Sequence, residues 1–237
     1  MPDLRDAYLR VKRAEEHFEE LKRVTREAEN AQTQTVRFQP EPEGRVNPTD
    51  PTDQRPWIRM HSDTVPIPDR CRVLTGDMAN DLRASLDYLV AGLAELDSGA
   101  EQDGTQFPIE DTPKLFKGRQ KKFLCGLTDA HIAAIERLQP YKGVNWTKQL
   151  RGLSNVDKHR KLHIVANFLT ANVAINPAPV GAADPGPGLT RMEMDMRVHA
   201  VLNVVLGGHW PLIETLEKIR FNVVQTLEAF KPEFERR

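Results

Sequence analysis

The chain has 237 residues, 39% hydrophobic and 28% charged, a balance that belongs to a folded chain and excludes a disordered one. Lysine and arginine total 33 against 34 aspartate and glutamate, so no global field draws the protein to nucleic acid or membrane, and any attraction must come from a local patch. The first 30 residues are densely charged, no apolar run is long enough to span a bilayer, and Cys71 and Cys125 lack CxxC or metal-ligand spacing, so a cytoplasmic protein with reduced thiols and no membrane association is expected.

Leu4, Ala7, Val11, Ala14, Phe18, Leu21 and Ala28 recur at helical spacing and predict an amphipathic helix over residues 1–30. Packing on its own domain is the plain reading of that stripe, and a homodimer through the same helix is the alternative. Thr35–Phe38 and Trp57–His61 are β-prone and separated by a proline-rich polar stretch, so residues 31–69 read as a β-hairpin with a long loop. From Arg70 to Leu96, Leu82, Leu86, Leu89 and Leu93 line one helical face, and Asp97-Ser98-Gly99 stops it.

Phe107-Pro108-Ile109 reads as a turn or short extended piece. Thr128 can cap a helix through Leu138, with Ile132, Ile135 and Leu138 inward, ended by Pro140. A further helix is expected over Trp146–Asn167, with a break near Gly152. Asn172–Ile175 and Met192–Val205 alternate as strands do, and the last helix runs from Pro211 to Phe230 with Leu212, Leu216, Ile219, Val223, Leu227 and Phe230 as its core face. The expected fold class is α+β, mainly helical, with residues 70–237 as a helical core carrying a small β region, and the whole chain as one globular domain.

Two polar clusters stand out. Asp77, Asn80, Arg83 and Asp87 form a ridge beside the leucine face. In the second, Asn155, His159 and His163 stack on one ridge of the expected helix, Asp157 and Lys161 pair at i,i+4, and Arg160 points towards the protein, where it needs a carboxylate such as Asp87 or Asp77. Tying two core helices together is one reading of these groups. Phosphodiester chemistry without a metal is another, with His159 as general acid or base, Arg83 and Arg160 on phosphate, and Asn155 and Asp87 orienting them. A third is a metal site of His159, His163 and Asp87; HxxxH alone is a weak signal, and there is no HExxH.

Lys114, Lys117, Arg119, Lys121 and Lys122 are crowded together. A solvated loop is the default for such a run, and an RNA-facing patch shared with Lys148, Arg151, Lys158 and Lys161 is the functional reading. No P-loop, GxGxxG helix start, GxSxG elbow or CxxC pair occurs, so the corresponding enzyme classes fall away and no cofactor is expected.

Gly76-Asp77-Met78-Ala79-Asn80-Asp81-Leu82-Arg83-Ala84-Ser85-Leu86-Asp87-Tyr88 resembles the GDxxHNLRSALDH helix of a widespread bacterial family. Phe107-Pro108-Ile109, Leu138-Gln139-Pro140-Tyr141 and Asn155-Val156-Asp157-Lys158-His159-Arg160 follow in that family's order. The chain departs from the pattern at Asn80-Asp81 and Tyr88, which argues against a role for either helix histidine here. The paired helices and the Arg, Asp and His residues also resemble HEPN domains, a helical fold of RNases in toxin and phage-defence systems, although neither Arg160–His163 nor Arg151–His159 has the HEPN spacing.

The resemblance implies a protein acting on RNA or in phage–host conflict, as a metal-independent ribonuclease in its catalytic form. Candidate catalytic residues are His159, Arg160, Arg83, Asp87 and Asn155; candidate binding residues are Asp157, Lys158, Lys161, His163, Lys121 and Lys122. The alternatives are a non-enzymatic interaction or regulatory protein with a structural polar cluster, and a metal-dependent hydrolase.

Overall fold

The computed structural model describes residues 2–30, 37–40, 58–61, 67–159, 162, 164–176, 193–205 and 209–235. The elements are α1 (Arg5–Asn30), β1 (Arg37–Pro40), β2 (Ile58–His61), α2 (Asp69–Ser98), α3 (Pro113–Phe123), α4 (Asp129–Glu136), α5 (Asn145–His159), β3 (Ile164–Asn176), β4 (Glu193–Val205), β5 (His209–Pro211) and α6 (Leu212–Glu235). The class is mainly helical α+β. The chain divides into two compact units, Met1–Arg26 with Ile67–Val165 and Leu202–Arg237, and Glu27–Pro66 with Ala166–Val201.

In the first unit α2 is the central element. Leu82, Leu86, Leu89 and Leu93 are fully buried, as their spacing predicts, and truncating one to alanine would cost about 2–5 kcal/mol. The helix ends at Gly99, whose φ of 76° places it in the left-handed region that glycine enters without a Cβ penalty. α2 packs against α5 and α6, and α5 against α6. The predicted face of α6 is buried from Leu212 to Phe230.

The apolar stripe of α1 is buried from Leu4 to Leu21 within the same unit. That face is therefore used inside the chain, where a dimer seam was the alternative. Ionic contacts register the helix on its neighbours. Asp81 of α2, itself buried, receives Arg10 at 2.9 Å, Arg13 at 3.6 Å and His17 at 3.5 Å, three side chains on one ridge of α1. Tyr8 donates to Glu228 of α6 at 2.7 Å, and burial together with that carboxylate pushes the phenol above its ordinary range.

Two elements differ from expectation. The lysine-rich run is a helix, α3. Thr112 caps it by accepting the Leu115 N–H, Pro113 occupies its first turn, and Phe116 anchors it as its single buried residue. The helix expected to reach Asn167 passes through Gly152 without a break but ends at His159, and β3 begins at Ile164. Leu162 and Ile164 are both buried two residues apart, which is the period of a strand, and the β-branched Ile164-Val165 pair favours extended backbone.

β3, β4 and β5 form one sheet in that order, with β5 antiparallel to β4 and Trp210 opposite Val204. In the second unit β1 and β2 pair antiparallel, Phe38 opposite Met60, in agreement with the predicted hairpin. Among the described residues no helix is long and apolar enough to cross a membrane.

Candidate functional site

The segment Gln106–Glu110 has no regular structure, yet Phe107, Pro108 and Ile109 are buried. Buried backbone must be hydrogen-bonded, and here side chains supply the partners that a ladder would otherwise provide. Asp87 accepts the Phe107 N–H at 2.8 Å, and Arg83, one turn earlier on α2, donates Nη2 to the Phe107 carbonyl. Gln139, fully buried, accepts the Glu110 N–H at 2.9 Å and donates to the carbonyls of Pro108 at 2.8 Å and Ile135 at 3.1 Å. Arg151 of α5 donates to the Ile109 carbonyl at 2.9 Å and to Asp111 at 2.7 Å. Three of the four sequence motifs therefore interlock around one extended strip.

Beside this strip lies a pocket of about 240 Å³, lined by α2, the strip, α3 and α5. Arg83, Arg119 and Arg151 bring three guanidinium groups to it, with Glu110, Ser154 and Asn155. Arg119 sits 3.6 Å from Glu110, and Arg83 Nε is 3.7 Å from Asp87, so each cation has a carboxylate neighbour. The compensation of Arg83 is incomplete. Its side chain is only 13% exposed, and its buried Nη1 has no hydrogen-bond partner among the described residues.

Burial pushes the Arg83 guanidinium below the usual arginine range; Asp87 and Glu110 oppose that shift and the Arg151 cation adds to it. A pocket with three guanidiniums, a hydroxyl and an amide is suited to an oxyanion that accepts several hydrogen bonds at once.

Of the expected site residues, the pocket unites Arg83 with Asn155, and Asp87 stands behind it as the group that holds the strip. Asn155 is exposed, so this part of the ridge faces an opening. Lys121 and Lys122 are exposed on α3 and do not line the pocket; Lys122 and Arg119 both lie 5.5 Å from the Phe123 ring centroid. Asp157, Lys158 and His159 occupy the last turn of α5, with side chains outside the described residues. Arg160, Lys161 and His163 lie outside them altogether.

The helix expected to carry Asn155, His159 and His163 on one ridge ends at His159, and His163 lies outside the described residues. The Asp157–Lys161 pair and the two-histidine metal face each need a residue, Lys161 or His163, that lies outside the described residues. Among the described residues no group of three metal-ligating side chains converges.

Sequence reasoning placed Arg119 and Arg151 in a diffuse charge patch and did not single out Glu110, Ser154 or Gln139. The Thr112-Pro113 helix start was the available signal for Arg119, since a helix there turns a solvated run into a directed face. No protein-family model, curated protein or solved structure matches the chain.

Proposed function

We propose that this protein acts on RNA, gripping a backbone phosphate in the Arg83–Arg119–Arg151 pocket, in a setting such as phage–host conflict. The observation that carries the reading is the convergence of Arg83, Arg119 and Arg151 on one small pocket. The exposed lysines of α3 extend positive charge outward from Arg119, which suits a polyanion longer than one phosphate. Catalysis would fall to His159 as acid or base, with Arg160 joining Arg83 on the phosphate. Arg151, Asn155 and His159 succeed one another at i, i+4 and i+8 on α5, so two of that helical ridge's three positions already line the pocket. The two free thiols suit a cytoplasmic setting.

A specific observation also favours a non-enzymatic interaction protein. Arg83 and Arg151 each already hold a backbone carbonyl of the strip, a structural task that needs no ligand. Fluorescence anisotropy with labelled single-stranded RNA tests the proposal. Salt-sensitive binding is expected, displaced by inorganic phosphate, with Arg119→Ala weakening it and lowering the salt slope by about one contact. RNA cleavage that survives EDTA and is lost in His159→Ala supports the ribonuclease form. Binding without cleavage limits the proposal to RNA binding, and no salt-dependent binding overturns it in favour of an interaction protein whose polar cluster is structural.

A further inference from the structure

A separate site lies where the end of α2 meets α4. Asp97, in the last turn of α2, has a side chain only 7% exposed. Its Oδ2 accepts the Thr128 N–H at 2.7 Å and faces His131 Nδ1 at 2.7 Å. Burial alone would raise this carboxyl, but the Thr128 N–H and His131 outweigh it and hold Asp97 below the usual carboxylate range. An ionised carboxylate only accepts hydrogen bonds. The proton between the two groups therefore sits on His131 Nδ1, which leaves Nε2 as the ring nitrogen outside this pair. Among the described residues nothing hydrogen-bonds that nitrogen.

His131 lines a groove of about 720 Å³ between α4 and α6, within the size range of small-molecule sites. Ala134 and Leu138 leave space on the α4 side, while Trp146 and Phe230, both largely buried, present ring walls. The Phe230 and His131 rings stand 6.0 Å apart at 59°. Arg137 and Glu233 also line the groove with opposite charges, so it favours neither an anion nor a cation. The tether to Asp97 accounts for how α4 is held. It does not account for an oriented imidazole at the edge of a space walled by rings.

We propose that the groove binds a small neutral aryl alcohol, its ring against Trp146 and Phe230 and its hydroxyl hydrogen-bonded to His131 Nε2. The ring walls select a flat apolar body, and the imidazole nitrogen, held in place through Asp97, selects a hydroxyl at one edge. Asp97 is a positioning residue, because it fixes the plane of the imidazole and does not touch the ligand.

Isothermal titration calorimetry with phenol and with toluene, which has the ring without the hydroxyl, tests this assignment on the full chain. Phenol is expected to bind saturably at one site, about tenfold tighter than toluene, the value of one well-made hydrogen bond. His131→Phe keeps an apolar wall and removes the ring nitrogen, so it should bind phenol no better than toluene. Ala134→Phe fills the groove while leaving Asp97 and His131 themselves unchanged, and should lose both ligands. Equal binding of phenol and toluene to the wild type, phenol binding to His131→Phe at wild-type strength, or no saturable heat with phenol would each overturn the proposal. Should His131→Phe fail to fold, the wild-type preference and the Ala134→Phe result decide it.

Discussion

Asp87 reaches from the middle of α2 to the Phe107 backbone, accepting its N–H at 2.8 Å while Arg83 holds the carbonyl of the same residue. A helix thus grips both polar groups of one buried residue in a segment without regular structure. Cation before anion at i,i+4 is the weaker order for a helical ion pair, and the 3.7 Å Arg83–Asp87 separation fits a pair whose stronger bonds go elsewhere.

Asp87→Ala should therefore cost about 1–3 kcal/mol by leaving the Phe107 N–H unpaired and Arg83 without its carboxylate. Asp87→Asn keeps an acceptor for the N–H and should cost less. Urea unfolding of the two variants measures the order, and an Ala variant as stable as the wild type would remove Asp87 from the account of the strip.

Gln139 presents both an acceptor and a donor, and the strip uses both. Gln139→Leu has similar bulk but leaves the Glu110 N–H and the Pro108 carbonyl without this partner, for a loss of about 2–4 kcal/mol. Gln139→Glu retains the acceptor and places a charge where the side chain is fully buried, so it should be no better at neutral pH. Thermal melts of both variants test this, and a Glu variant matching the wild type would contradict it.

The Asp97 carboxyl is depressed in the folded protein, so the unfolded chain takes up its proton first as pH falls. Its stabilisation is present above the unfolded value of about 4 and fades as the pH drops through the lower folded value. Asp97→Asn should be less stable than the wild type at neutral pH by about 1–3 kcal/mol, with the gap narrowing in acid. Denaturant midpoints across the acid range report the difference, and a constant gap would show that the carboxylate charge is not its source.

The two thiols should differ in reactivity. Cys71 is fully buried, and burial pushes its thiol above the ordinary range, whereas Cys125 is partly exposed. A chromogenic disulfide reagent should modify one thiol per folded chain, at Cys125, and the second only after denaturant is added. Prompt modification of both in the folded state would mean that the end of α2 around Cys71 opens readily.

Features whose cause is local were legible in the sequence: the leucine face of α2, its stop at Gly99, the stripe of α1, the core face of α6 and the antiparallel hairpin. Each follows from spacing or from one residue's backbone preference, and the nearest neighbours carry that information. The α5–β3 junction was misjudged because a short apolar stretch fits either period, and the burial of Leu162 and Ile164 decides between them. α3 was missed because one buried phenylalanine makes almost no stripe.

For the clusters, the sequence by itself named Arg83, Asp87 and Asn155 and the order of their motifs. Only the tertiary structure decided that Arg83 meets Arg119 and Arg151 at one pocket, that Gln139 holds the strip beside it, and that Asp97 orients His131 towards a groove. The reason is physical. Helical periodicity sets which side of its own axis a residue occupies, whereas a pocket depends on how separate elements dock, and that is settled by packing between residues far apart in the chain.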